Sequence, residues 1–289
     1  MPPPAYRVLD VGAARLAVAS PIESFHSQLD AVYPHQGGMA DDAFSDVRVS
    51  LLPDRRLWPG TRTARLWSEG DCPFEPYPAN AALPLFEWGS NWLLAQRLNA
   101  YLLLHAGVVA RDDQALILPA TPGSGKTTLS CALHLAGWRF LSDEFGVIDM
   151  ANDRVLPMVR PAPLKNESIE VIRARPGAQL GPRFAGTRKG DVAHFVPDRA
   201  SFIARHHPAT PQLVIFPRYR AGAPLSCTPL DGLQTALGLG KNSFNYQALG
   251  PLGFDTVVRL ARRTRAYHLE YGDLDEAIAH IDHLFGHLR

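Results

Sequence analysis

Residues 118–144, LPATPGSGKTTLSCALHLAGWRFLSDE, decide the fold. The end of an apolar strand, a glycine-rich turn, one short amphipathic helix and a second strand ending in two acids follow one another here. Within this stretch, residues 120–127, ATPGSGKT, match the phosphate-loop pattern G-x-x-x-x-G-K-[ST], except that Ala120 stands where the first glycine usually is. Gly123 and Gly125 let the backbone turn its N–H groups inward, Ser124 adds a donor, and the helix that follows points its positive end at the same place. Lys126 supplies a mobile cation for the β- and γ-phosphates, Thr127 offers its hydroxyl to Mg²⁺, and Thr128 completes the nucleotide-binding set. A strand before and a helix after are the context this motif requires, and they make an accidental glycine-rich turn the weaker reading.

Asp143 and Glu144 close the strand WRFLSDE. If that strand pairs beside the one leading into the loop, both carboxylates come near the γ-phosphate. Neighbouring residues on a strand point to opposite faces, so one acid would meet a metal and the other an acceptor. Phosphoryl transfer needs both a cation clamp and a group that positions or deprotonates the nucleophile. His105, in LLLHAGVV, reads by itself as a satisfied strand histidine.

Outward from this core, residues 1–84 are rich in proline and read as a small α+β region: strands in RVLDVGAARLAVAS and DVRVSLLP, a short helix in IESFHSQLDAVY. From Pro84, PLFEWGSNWLLAQRLNAY has helical spacing, with Leu85, Trp88, Trp92 and Leu93 as core residues that pack the first region onto the second. Residues 85–289 then alternate strands and helices, and the short strand connections imply a mixed sheet. A well-marked last helix starts at the N-cap Asp273 and buries Leu274, Ile278, Ile281, Leu284 and Phe285. The stretch between the acids and FVPD is locally basic, with Lys165, Arg173, Arg175, Arg183, Arg188 and Lys189, and reads as a flexible loop over the phosphate site. His194, His206 and His207 have no metal-ligand spacing and read as surface or loop residues.

The bulk numbers exclude more than they assign. A net charge of +1 gives no general pull toward nucleic acid or acidic membranes, so neither is expected as a partner. No apolar run approaches the roughly 18 residues of a membrane span, and MPPPAYRVLD lacks the basic-then-apolar order of a secretory signal. Three cysteines, Cys72, Cys131 and Cys227, suit reduced thiols better than a disulfide frame. The expectation is a cytoplasmic protein.

In the order of its motifs the chain resembles the HPr kinase/phosphorylases, bacterial enzymes that phosphorylate a seryl hydroxyl on a carrier protein. Lys126, Gly137 at the end of the helix, then Asp143 and Glu144 stand in that family's order and spacing, and LKNESI and RKGDVAH look like later motifs of its HPr kinase-related kinase A subgroup, which occurs beside small peptide-modification gene sets. The resemblance covers residues 102–197 and extends weakly into AYHLEYGDLDEAI; the first 80 or so residues do not look like the family's N-terminal domain. It implies an α/β chain with a mixed-sheet P-loop kinase core of the HPr kinase/PEP carboxykinase type, ATP and Mg²⁺ as cofactors, and a homo-oligomer. Residue by residue, it implies Asp143 as acid/base on the acceptor hydroxyl, Glu144 as a Mg²⁺ ligand, His105 near the γ-phosphate, and Lys165 and Lys189 at the substrate or lid. Glu144 departs from the aspartate usual there, and SIEVIRARPG only hints at the family's IExRG segment, which leaves Glu167 and Glu170 without a firm part.

The expected function is a kinase moving the γ-phosphate to a hydroxyl, on Ser or Thr of a small peptide or protein. Two alternatives stand beside it: a nucleotide-gated binding module with slow ATP turnover, and a small-molecule kinase. A carboxykinase would want a further Lys, His and Asp metal cluster, which the sequence lacks.

Overall fold

The computed structural model describes residues 5–37, 43–54 and 63–287. The first strands are β1 (Arg7–Asp10) and β2 (Arg15–Ala19), then helix α1 (Glu23–Val32), β3 (Val47–Asp54), β4 (Thr63–Trp67) and β5 (Tyr77–Pro78). They form a five-stranded sheet in chain order, antiparallel except for the β2–β3 pair, which α1 connects as a crossover. Val47, Val49 and Leu51 are buried at the two-residue period of a strand with one covered face. Helix α2 (Ala82–Arg97) provides that cover by packing on β3 and β4. It begins two residues before Pro84, which sits in the first turn where a missing N–H breaks no helical bond. Trp92 departs from the expected core face: it is 44% exposed, with one edge-to-face contact to the partly buried Phe74 ring.

The central part opens with β6 (Tyr101–Arg111), β7 (Gln114–Pro119), α3 (Lys126–Leu135), β8 (Arg139–Ser142), β9 (Phe145–Asp149) and β10 (Arg154–Leu156). The basic middle stretch follows as β11 (Ala162–Lys165), α4 (Glu167–Arg173), β12 (Phe184–Thr187), β13 (Gly190–Phe195) and α5 (Arg199–Ile203). The chain ends with β14 (Thr210–Tyr219), β15 (Ser226–Leu230), α6 (Gly232–Lys241), α7 (Tyr246–Leu249), α8 (Pro251–Arg263), β16 (Arg265–Tyr271) and α9 (Leu274–Gly286). The central sheet runs β10-β9-β6-β7-β14-β16-β15, with β8 also on β6. The β7–β14 and β14–β16 pairs are parallel and the others antiparallel, so this is an α/β fold with a mixed sheet.

Period-two alternation divides β7 between two apolar layers. Leu116 and Leu118 join the layer of α3 and α9, whereas Ala115 and Ile117 join that of α6 and α8. A sheet covered on both faces explains why its strands read as nearly continuous apolar runs. A third cluster joins the first sheet to the central one, uniting Leu9, Val18, Leu51 and Phe86 with Leu103, Phe145, Val147 and Met158. No helix among the described residues is long and apolar enough to cross a membrane.

Three expectations are corrected. Strand β8 pairs with β6, not with β7, so one strand separates the acids from the strand that feeds the loop. The basic stretch is not a loop but a three-stranded sheet, β11-β13-β12, with α4 beside it; Arg173 and Arg183 are paired to Glu170, Arg183 also to Asp191, and Arg175 to Asp275. His194 is not at the surface: it lies in β13 at 0% exposure, and neither ring nitrogen has a hydrogen-bond partner.

Burial pushes the His194 imidazole below its ordinary range, with Glu87 opposing and Arg160 adding to the shift. Below the ordinary histidine pKa the unfolded chain takes a proton that the folded chain refuses, so stability falls as pH falls. Each pH unit over which this holds is worth about 1.4 kcal/mol. The thermal midpoint is therefore expected to drop from pH 7 to pH 5.5 less steeply in His194→Leu than in the wild type. Identical slopes for the two proteins would remove His194 as the cause.

Candidate active site

The glycine-rich loop leaves the C-terminal end of β7 and enters α3 at Lys126. Gly123 and Gly125 have φ of 87° and 88°, the left-handed region that a glycine enters without a Cβ penalty. At Gly125 a Cβ would also lie 2.7 Å from Tyr271 Oη and 2.8 Å from Tyr219 Cβ, so the position excludes a side chain on two grounds. Gly125 caps α3 without a side-chain hydrogen bond, which leaves the helix's first N–H groups facing outward. The Ser124 hydroxyl oxygen is buried and has no partner within the protein. Such a ring of unmatched donors fits an anionic ligand.

Strand β8 ends at Ser142, so Asp143 and Glu144 stand in the tight connection to β9 and are free of the strict strand alternation. Their surroundings are opposite in character. The Asp143 side chain is 2% exposed, and its carboxylate accepts from Thr127 Oγ1 at 2.8 Å and Ser130 Oγ at 2.7 Å. Lys126 Nζ lies 3.6 Å from Asp143 Oδ1 and donates to the Asp143 carbonyl. The Gly107 position on β6 leaves space for this cluster, since a Cβ there would come within 3.1 Å of Ser130 Cβ and 3.4 Å of Asp143 Oδ1.

Glu144, by contrast, has a side chain 35% exposed and faces a cavity of about 510 Å³ in front of the loop. The cavity is also lined by His105, Thr127, Thr128, Lys165 and Lys189. His105 Nε2 is 4.0 Å from Glu144 Oε1, and the ring rests on Phe244 with centroids 5.4 Å apart. Burial, aided by the Lys126 charge, holds the His105 imidazole below its usual range against the pull of Glu144, so the ring is neutral near pH 7.

Lys165 and Lys189 are brought together by one turn and one hairpin. Asn166, at φ 50°, turns the chain from β11 into α4, and its Oδ1 accepts the Asp191 N–H at 3.1 Å. Gly190 packs on that amide with φ 81°, where a Cβ would fall 2.3 Å from Asn166 Oδ1. LKNESI and RKGDVAH are therefore two sides of one local structure. Lys189 Nζ lies 4.8 Å from the centroid of the Trp88 ring of α2, and burial with the neighbouring Lys165 charge lowers its pKa. Glu167 lines the cavity, whereas Glu170 is engaged by Arg173 and Arg183.

The phosphate-loop residues Gly123 to Thr128, His105, Glu144, Lys165 and Lys189 thus line one cavity, Asp143 lies just behind it, and Glu170 and His194 lie apart from it. Ser130, Tyr219 and Tyr271 were missed. The helical spacing of Ser130, three residues after Thr127, carried a signal; the tyrosines depend on the strand order and carried none. A groove of about 620 Å³ between α6 and α8 is larger but apolar, and its charged lining residues are Lys241 and Arg262, so it offers no acid–base or ligand cluster. Among the described residues no group of three or more His, Cys, Asp or Glu could hold a metal ion. No protein-family model matches the chain, and no curated protein matches it.

Proposed function

We propose that the chain is an ATP- and Mg²⁺-dependent kinase that transfers the γ-phosphate to a hydroxyl, on Ser or Thr of a small peptide or protein. The observation that carries the proposal is the split environment of the acid pair: Asp143 is locked onto Thr127 and Ser130, while Glu144 opens to the cavity beside His105, Lys165 and Lys189. The resemblance of residues 102–197 to the HPr kinase-related subgroup supports the same chemistry on a P-loop kinase core.

The geometry favours a division of labour opposite to the one that resemblance implies. Mg²⁺ keeps several waters and takes one or two protein oxygens beside the phosphates, so a full side-chain cage is not required. The Thr127 hydroxyl and the Asp143 carboxylate, 2.8 Å apart, fit that demand and would hold the ion. When bound, the ion would supply charge neutralisation to the transferring phosphates. Lys126, released from Asp143, binds the same phosphates, and the loop N–H groups orient them. Glu144 accepts the hydroxyl proton as the acceptor oxygen attacks the γ-phosphorus and ADP leaves. His105 borders the same space, 4.0 Å from Glu144, and Lys165 and Lys189 hold the transferring phosphoryl group by charge.

The test is transfer from γ-labelled ATP with Mg²⁺ to the small peptides encoded beside the gene, read by mass spectrometry. Wild type is expected to label Ser or Thr, and Glu144→Gln to lose about 10²–10⁴-fold in rate with nucleotide affinity retained. Full activity in Glu144→Gln would return the base role to Asp143. If the wild type binds nucleotide and labels no peptide, the acceptor is a metabolite, or the chain is a nucleotide-gated module.

A further inference from the structure

The cavity extends past the phosphates to a second end that the transfer chemistry does not use, and the order of the central sheet fixes which end is which. Strand β7, which delivers the loop, lies between β6 and β14. His105 and the acids belong to the β6 side and mark where the γ-phosphate reacts. A triphosphate bound along the loop must then direct its nucleoside toward β14 and β16. These strands run parallel to β7, so their C-terminal ends, at Tyr219 and Tyr271, lie on the same edge as the loop, where ligands of open α/β sheets bind.

Tyr219 is placed for this. It lines the cavity, its ring is tilted against Tyr271 with centroids 5.7 Å apart, and it is 49% exposed, an unusual amount for a large ring in a cleft. Its N–H donates to the Ser124 carbonyl at 2.9 Å, and its Cβ contacts the space above Gly125, which ties the ring directly to the phosphate loop. Val171 of α4 and Leu274 of α9 line the same cavity and add apolar surface. Two polar side chains nearby are already engaged: Asp273 accepts from the Glu276 N–H as the cap of α9, and Ser168 is bonded to the Lys165 backbone.

We infer that Tyr219 is the stacking platform for the base of a purine nucleoside triphosphate. The inference rests on the nucleotide reading above and deepens it. Stacking scales with ring area and does not read the base edge, so adenine and guanine are both held, and better than cytosine.

The experiment compares binding of Mg·ATP, Mg·GTP, Mg·CTP and Mg·tripolyphosphate to wild type, Tyr219→Ala and Tyr219→Phe by calorimetry. Alanine keeps the Cβ beside Gly125, so the loop is not disturbed. Tyr219→Ala is expected to weaken ATP and GTP about 5- to 100-fold and to leave tripolyphosphate unchanged, while Tyr219→Phe binds like the wild type. If Tyr219→Ala leaves ATP affinity intact, or weakens tripolyphosphate as much as ATP, Tyr219 is not a base platform. If the wild type binds neither ATP nor tripolyphosphate, the phosphate site itself is wrong and the platform falls with it.

Discussion

Lys126→Met is expected to lower phosphoryl transfer by about 10²–10³-fold or more, the loss seen when one preorganised charge or donor is taken from a transition state. The same substitution has a structural cost that must be separated from the chemical one. Lys126 and Asp143 have side chains 7% and 2% exposed, so methionine strands a buried carboxylate with only the Thr127 and Ser130 hydroxyls as donors. Removing one partner of a buried pair costs about 3–5 kcal/mol. The double variant Lys126→Met with Asp143→Asn removes that stranded charge and is expected to recover most of the thermal stability while remaining inactive. Recovery of activity along with stability in the double variant would show that neither the Lys126 charge nor the Asp143 carboxylate acts on the phosphates or the ion.

The second large effect is expected at Arg160, which does not line the cavity in front of the phosphate loop. Its guanidinium donates to Glu87 Oε2 at 2.8 Å and also to Asn91, while Tyr33 donates to Glu87 Oε1 at 2.8 Å. Arg160 and Glu87 have side chains 7% and 5% exposed, and burial together with the Glu87 charge raises the Tyr33 phenol well above its usual range. Arg160→Met leaves Glu87 charged and nearly dry, at a cost of about 3–5 kcal/mol, or a midpoint lower by roughly 6–10 °C for a chain of this size. Replacing both Glu87 and Arg160 by methionine leaves no stranded charge, and is expected to recover much of the loss. Thermal unfolding of the three proteins decides this, and a single variant within about 1 kcal/mol of wild type would mean that water reaches the pair. The network also borders a narrow crevice formed with Ser142, Asp143 and Glu144, so its loss is expected to loosen the turn that carries the acids.

What was legible in the sequence was local. The phosphate-loop pattern, the strand before it, the helix after it and the Asp273 cap each depend on a few adjacent residues, and the structure has elements at all of them. Pairing was not legible: nothing in WRFLSDE tells β6 from β7 as a neighbour, because both are mostly apolar. The middle stretch reads as a loop because Pro, Gly and Arg hide its short strands. The order there comes from contacts such as that of Asn166 with Gly190, residues far apart in the chain. The burial of His194 is hidden for a related reason: its neighbours include Pro163 of β11 and the Glu87 and Arg160 charges, all distant in the chain. Neither the Glu87–Arg160 pair nor the position of Tyr219 follows from spacing: the first depends on how α2 meets the segment before β11, the second on the strand order of the central sheet.

The apolar cluster shared by the two sheets also bears on how the chain is made. The first sheet and α2 are complete as covalent chain once Arg97 has been added, but their core is covered in part by Leu103, Phe145, Val147 and Met158, and later still by Phe184 and Val196. At about 5–20 residues per second, the roughly 60 residues from α2 to Met158 take about 3–12 s to synthesise. Throughout that interval Leu9, Val18, Leu51 and Phe86 lack part of their cover while the ribosome is still supplying it. The nascent N-terminal third therefore emerges before the residues that finish its interior.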